Sequence, residues 1–364
     1  MEFFICNFIG GMKILVIQQK MIGDVLTSSI LFSLLRESFP NATLHYLINS
    51  HTLPVVENHP DIDNFQIITP NIEKSSALFF SFLKNIQKEN YNVVIDVYST
   101  FSSNLITLFS GAKTKISKHK WYTSFLYTHT FKESKVPVSN AGLAIENRIK
   151  LLQPLGIKEI LKYPQPKIHL KKDEIETAKK MLLEFKINLS SPLFMISILG
   201  SDKTKTYPLQ YMAELIDFIV AETKGALLFN YIPNQIEDVK KIISFCKPET
   251  KKHIHLHVFG KNLREFIALT SHCNALIGNE GGAINMAKAI DKPTFSIFSP
   301  WILKEAWNIF EDGTRNDSIH LKDVKPELFT DTSPKQIKKQ HQKLYVAFTP
   351  ELIKPKLKAF LSSI

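Results

Sequence analysis

Cysteine is scarce in this chain. Only Cys6, Cys246 and Cys273 occur among 364 residues, too few and too scattered for a disulfide framework or a four-ligand zinc site, so a reduced, cytoplasmic setting is the expectation. Long apolar runs are missing as well, and none approaches the roughly 18–20 residues of a membrane span. The nearest is the first 17 residues, where Phe3, Phe4, Ile5, Phe8 and Ile9 precede a second apolar run. It has no basic start and no small-residue cleavage site, and Gly10, Gly11 and Lys13 interrupt it, so it does not read as a signal peptide. Met1 and Met12 serve equally well as the start, because Met12-Lys13-Ile14-Leu15-Val16-Ile17 already has the form of an opening buried strand. No GxGxxG follows a strand and no loop has Walker A spacing, which counts against ordinary NAD enzymes and P-loop hydrolases. Repeats and low-complexity tracts are absent too.

What is present is a globular composition, 44% apolar, with 45 Lys+Arg against 34 Asp+Glu and a net charge of +11. Such a surface favours anionic partners. Nucleic acid is not expected among them, since no binding module is recognisable. Short apolar runs alternate with helical patterns, the signature of a parallel sheet with covering helices. Strands are predicted at residues 13–18, 43–48, 65–68 and 93–97, with helices at 24–38, 75–89 and 146–155. Residues 156–172, with Pro164 and Pro166, read as a linker. The alternation then restarts, with strands at 193–197, 226–229, 255–259, 275–277 and 294–298 and helices at 172–185, 209–222, 237–245, 263–272 and 283–289. The expected architecture is α/β, two Rossmann-like doubly wound domains facing a cleft, over residues 1–165 and 166–348. A terminal helix at 349–364 is expected to pack across both. In such folds ligands sit beyond the carboxyl ends of the strands.

Three strand-to-helix junctions carry candidate chemistry. In the first, Gly23 leaves room for close backbone approach and Asp24 falls at or near a helix N-cap, where it reads either as a cap or as a general base at the cleft edge. The second runs from Ile198 to Leu209. Its Ser201, Thr204 and Lys205 fit a diphosphate site, although a solvated basic loop fits equally. The third is Gly278-Asn279-Glu280-Gly281-Gly282 before a small-residue helix that contains Asn285. Its glycines expose N–H groups at a positive helix end, and Glu280 suits sugar or ribose hydroxyls better than phosphate. Asp96, at another carboxyl strand end, is a candidate to face the cleft. Asp61 and Asp63 form a DxD that reads as a turn rather than a metal site. His253, His255 and His257 read as a half-buried strand.

Taken in order, these junctions resemble the heptosyltransferases of glycosyltransferase family 9, which build the inner core of lipopolysaccharide. The marks are Met21-Ile22-Gly23-Asp24-Val25-Leu26 after the opening strand, Lys205-Thr206-Tyr207-Pro208, and Gly278-Asn279-Glu280-Gly281-Gly282 followed by Lys292-Pro293, within a match from Met12 to about Pro300. The resemblance implies a GT-B fold with the acceptor on the first domain and ADP-heptose on the second, inversion at the anomeric carbon, and no metal or other cofactor. Asp24 then deprotonates the acceptor hydroxyl, with Gly23 and Asp96 on the acceptor side. Lys205 offsets the leaving diphosphate, and Ser201, Thr204, Glu280, Gly281, Gly282 and Asn285 line the donor site. Departures stand at Glu280, usually Asp, at Gly281, usually Ser or Thr, and at Asn285, often His. They leave open another nucleotide sugar or a catalytically silent homologue. The acceptor is expected to be a phosphorylated glycolipid at the inner membrane surface, met by Lys84 and Lys88 and by Lys113, Lys115, Lys118 and Lys120 with Trp121 and Tyr122.

Overall fold

The computed structural model describes residues 11–158, 160, 162–330 and 332–364. The question of Met1 or Met12 as the start involves residues 1–10, which lie outside the described residues, as does Cys6. The chain divides into two compact units, residues 1–169 with 305–309 and residues 170–304 with 310–364.

The first unit is built on a parallel sheet of β1 (Lys13–Ile17), β2 (Thr43–Asn49), β3 (Asn64–Ile68), β4 (Val93–Asp96), β5 (Thr114–Lys118) and β6 (His129–Phe131). Its strand order is β3-β2-β1-β4-β5-β6. Lys13 pairs with Thr43 on one side of β1 and Ile14 with Val93 on the other. Central strands such as Lys13-Ile14-Leu15-Val16-Ile17 are buried on both faces, hence the continuous rather than alternating apolar run. Leu15, Ile17, Leu47 and Val94 form a core with Phe82, Leu83, Ile86 and Ile106 of the covering helices.

The second unit carries β7 (Leu193–Ser197), β8 (Ala226–Asn230), β9 (Ala275–Asn279), β10 (Thr294–Ile297) and β11 (Asn316–Ile319), ordered β11-β10-β9-β7-β8 and again parallel. The order reverses between β1 and β4 in one sheet and between β7 and β9 in the other. At such switch points the loops leaving neighbouring strands diverge and open a crevice.

Several expectations need correction. The predicted strand 255–259 is a turn. Leu227 makes one bridge to Ile254, through its N–H to the His253 carbonyl and from the His255 N–H, and Val258 N then folds back onto the His255 carbonyl. The three histidines therefore do not alternate along a strand. The helix predicted at 24–38 is two, Ile22–Ser28 and Ile30–Ser38. Buried Ser29 breaks it by donating its hydroxyl to the Leu26 carbonyl. Residues 146–155 divide into a helix Leu143–Ile149 and a 3-10 segment Lys150–Leu155. The terminal helix is Pro350–Ser362. Its Ile353, Leu357, Phe360 and Leu361 belong to the core of the second unit with Phe295, Ile297 and Val220, since that stripe is its apolar face.

Candidate active site

Beyond β1 the chain crosses residues 18–21 and enters the Ile22–Ser28 helix. Asp24 is not its cap. Met21 holds that position without a side-chain bond, and Asp24 is the third helical residue, where a carboxylate still gains from the positive helix end. Gly23 precedes it, and the Gly23 carbonyl accepts from Thr27 Oγ1 at 2.7 Å. What fixes the Asp24 carboxylate is a residue the sequence did not single out. Arg148, on the Leu143–Ile149 helix, donates through Nη2 to Asp24 Oδ1 at 2.7 Å. The guanidinium is locked in turn by Ser28 Oγ at 2.8 Å and the Ala144 carbonyl at 2.7 Å. Side-chain exposure is 12% for Arg148 and 23% for Asp24, so the carboxylate is held yet open to solvent. Among the described residues Oδ2 has no hydrogen-bond partner.

Asp96 does not face a ligand. It is fully buried, accepting from Ser99 N at 2.7 Å and Tyr127 Oη at 2.6 Å. Burial raises its pKa while those hydrogen bonds partly restrain the shift. A carboxylate sealed at the end of a central strand and bonded on both oxygens closes the β4 turn, which corrects its assignment to acceptor binding. Asp61 and Asp63 are engaged as well. Asp61 accepts from Ser33 Oγ at 2.8 Å, and Asp63 takes Arg36 Nη2 at 2.8 and 2.9 Å and the Leu44 N–H at 2.7 Å. They brace the β2–β3 edge.

In the second unit the loops after β7 and β9 meet. Asn279, 1% exposed, accepts from Tyr207 N at 2.7 Å and donates to the Ser197 carbonyl at 2.9 Å, clamping one loop to the other. Gly200 lets the β7 loop fold on itself, since a Cβ there would stand 2.4 Å from the Lys205 carbonyl oxygen. The loop then winds through Lys203–Lys205, capped by Asp202, whose Oδ1 takes both the N–H of Thr204 at 2.7 Å and its hydroxyl at 2.6 Å. The Thr204 hydroxyl is therefore already committed. Its carbonyl accepts from Trp301 Nε1 at 2.9 Å and Ser299 Oγ at 3.0 Å. Ser201 is exposed at the turn.

Lys205 Nζ stands 3.9 Å from Glu280 Oε1. It also lies 5.7 Å from the centre of the Trp301 ring, with Lys338 on that ring at 4.4 Å. Two cations on one indole were not legible in the sequence, because Trp301 and Lys338 are far from Lys205 along the chain. The Glu280 side chain is only 9% exposed, and its Oε1 is buried without a hydrogen-bond partner among the described residues. Burial raises the Glu280 pKa, against the pull of Lys205 and with a push from Asp202. Gly281 then turns the chain at φ +148° into the Gly282–Lys288 helix, which contains half-buried Asn285. The second unit thus brings together a lysine, a desolvated carboxyl whose Oε1 has that lysine nearby but no hydrogen-bond partner among the described residues, and a glycine-led helix start. The first supplies a carboxylate positioned by an arginine. One set suits an anionic leaving group and its sugar, the other suits proton removal from a hydroxyl.

Among the described residues no helix is long and apolar enough to cross a membrane. A family model described as glycosyltransferase family 9 (heptosyltransferase) matches residues 79–305. Lipopolysaccharide heptosyltransferase 1 of Campylobacter coli is 24% identical over 298 residues, spanning 79% of this chain and 84% of that protein. Lipopolysaccharide heptosyltransferase 2 of Salmonella typhimurium is 22% identical, spanning 79% and 83%. The solved structure of E. coli ADP-heptose lps heptosyltransferase II superposes with a TM-score of 0.70 at 17% identity, over 96% of this chain and 99% of that one. An E. coli heptosyltransferase solved with ADP gives a TM-score of 0.68 at 14% identity, over 95% and 99%. The architecture is therefore GT-B.

Proposed function

The chain belongs to glycosyltransferase family 9 and is a glycosyltransferase, and from that premise we propose that it transfers heptose from ADP-heptose to a lipopolysaccharide inner-core acceptor, inverting the anomeric centre without a metal. The acceptor hydroxyl oxygen attacks the anomeric carbon, the bond from that carbon to the diphosphate oxygen breaks, and the hydroxyl proton passes to Asp24. The observation that carries this reading is the Asp24 carboxylate itself, partly open, with one oxygen held by Arg148 and the other without a hydrogen-bond partner among the described residues. Lys205 opposes the charge that develops on ADP, the task a metal performs in other transferases. Glu280 Oε1, near Lys205 but without a hydrogen-bond partner among the described residues, accepts from a hydroxyl of the transferred sugar.

The acceptor reading draws on the first unit, where Trp121 and Phe125 are 83% and 80% exposed on the loop that Lys120 ties to the Ser99 carbonyl. Aromatic and basic side chains on one loop suit an anionic glycolipid surface, reached here from the cytoplasmic side. Another nucleotide sugar is the second reading, favoured by Glu280, Gly281 and Asn285 where the family usually differs. Calorimetric titration with ADP, UDP, GDP, CMP and ADP-heptose, in the absence of added metal, decides between them. Selective binding of ADP and ADP-heptose supports heptosyl transfer. Preference for another nucleotide overturns it, and no binding at all points to a silent homologue.

A further inference from the structure

We propose that the first unit carries an acyl-chain groove, a site for a fatty chain linked through an ester or amide to an anionic glycolipid. This rests on the acceptor reading above and extends it to the part of the acceptor that is not sugar. The helices Ser76–Lys88 and Phe101–Phe109 border a cavity of about 570 Å³, within the range of small-molecule sites. Its walls are Phe79, Phe80, Leu83, Phe101, Leu105 and Phe109. Phe101 is 79% and Phe80 49% exposed, so large apolar side chains are left in water around an open trench.

Glu73, Ser75, Ser76 and Ser102 also line it, and a fifth polar side chain, Gln19, carries a buried orphan donor. Gln19 lines the cavity and is 3% exposed. Its Oε1 accepts from Ser102 Oγ at 2.7 Å, while its Nε2 is buried with no hydrogen-bond partner among the described residues. Buried donors are almost always paired, and an orphan in a cavity wall marks where a ligand oxygen completes the set. A fatty chain brings one acceptor of the right kind, the carbonyl of its ester or amide, at the end of an otherwise apolar body. A peptide would instead need polar partners at every residue, more than a lining dominated by four phenyl rings and three aliphatic side chains offers.

The charge nearby selects an anionic head group. Glu73, the acidic lining residue, is neutralised by Lys20 at 2.6 Å and takes Asn49 Nδ2 at 2.9 Å. Lys84 Nζ lies 4.9 Å above the Phe80 ring at the groove wall, and Lys88 follows one turn later on the same helix. Gln19 itself stands in the strand-to-helix turn that delivers Asp24, five residues ahead of it. A lipid seated by its acyl carbonyl on Gln19 is thereby anchored beside the turn that carries the base.

The test is calorimetry on the full chain with N-dodecanoyl-glucosamine 1-phosphate below its micelle concentration, against glucosamine 1-phosphate and an O-dodecyl ether analogue that lacks the carbonyl. The acylated probe is expected to bind at least tenfold tighter than the bare sugar phosphate, a gain that burial of about two methylenes already supplies. Leu105→Trp, which fills the groove, and Phe101→Ser, at a position too exposed to endanger folding, should each remove most of that gain. Gln19→Leu should weaken the amide probe about fivefold and leave the ether unchanged. Equal binding of acylated and bare probes, or a gain that survives both groove substitutions, overturns the proposal. ADP-heptose transfer is read on the same preparations. Acyl binding without transfer upholds the groove and counts against the heptosyl reading, whereas transfer without an acyl gain overturns the groove alone.

Discussion

Replacing Asp24 by asparagine separates its two candidate roles, because the structure predicts a small cost for one and a large cost for the other. The Asp24–Arg148 pair is neither exposed nor sealed, at 23% and 12% side-chain exposure. Exposed pairs contribute about 0–1 kcal/mol, and breaking a buried pair costs about 3–5 kcal/mol. Asparagine keeps an Oδ1 that can accept from Arg148 Nη2, and the guanidinium retains Ser28 and the Ala144 carbonyl. The loss of stability should therefore be about 1 kcal/mol, rising to about 2 kcal/mol in Asp24→Ala, where no acceptor remains. With Asp24 as the proposed base, catalysis should lose far more. A positioned base contributes about 10²–10⁴ in rate, which is about 3–5 kcal/mol of barrier. The assay is ADP release from ADP-heptose with a saturating inner-core acceptor, alongside urea unfolding of the same protein. Asp24→Asn should lower kcat at least a hundredfold with KM for the donor nearly constant. A variant retaining more than a tenth of wild-type kcat would remove Asp24 from proton transfer and leave it a first-turn helix residue.

On the proposed ADP-heptose reading, Lys205→Met should weaken ADP binding about tenfold and lower kcat further, since charge grows on the leaving diphosphate; an unchanged ADP affinity by calorimetry would remove Lys205 from the diphosphate site. Glu280→Gln should stabilise the unliganded protein at pH 8. A carboxyl held above its ordinary value of 4.5 by burial binds its proton more tightly folded than unfolded, so it destabilises the fold as the pH climbs through and beyond that range. The gain should vanish as the pH falls towards 4.5, and a thermal scan showing Glu280→Gln less stable at pH 8 would contradict that. Gly281→Ser restores the hydroxyl common in the family but at φ +148°, ψ −165°, a region almost confined to glycine. No atom lies within 4 Å of the Cβ it would add, so the cost should be backbone strain alone, about 1–3 kcal/mol by denaturant titration, and a loss below about 0.3 kcal/mol would show the turn relaxing.

What was legible in the sequence was what neighbouring residues decide together. Continuous runs such as Val93-Val94-Ile95 announce a strand buried on both faces, and Pro208 announces a helix start. The strands that escaped notice were the ones whose formation is decided by a partner. Asn316-Asp317-Ser318-Ile319 has no strand pattern, and it is one because β10 offers an edge and Lys356 meets Asp317 at 2.9 Å. The His255 segment erred in the opposite direction, its alternation suggesting a strand where Leu227 accepts a single bridge.

The candidate site divides along the same line. Asp24, Lys205 and Glu280 lie in junctions that short spacing marks out, so their positions at strand ends were legible. Their chemistry is set by groups remote in sequence. Arg148 lies 124 residues from Asp24 and Trp301 97 residues from the Thr204 carbonyl it binds. Asp96 shows why position is not enough. It sits at a carboxyl strand end as the topological rule demands, yet Tyr127, 31 residues away, takes the oxygen that would have met a ligand. A strand end therefore nominates a side chain, and only its atoms without a hydrogen-bond partner among the described residues qualify it. By that criterion Asp24 Oδ2, Glu280 Oε1 and Gln19 Nε2 are where a substrate should be sought, and Asp96 is not.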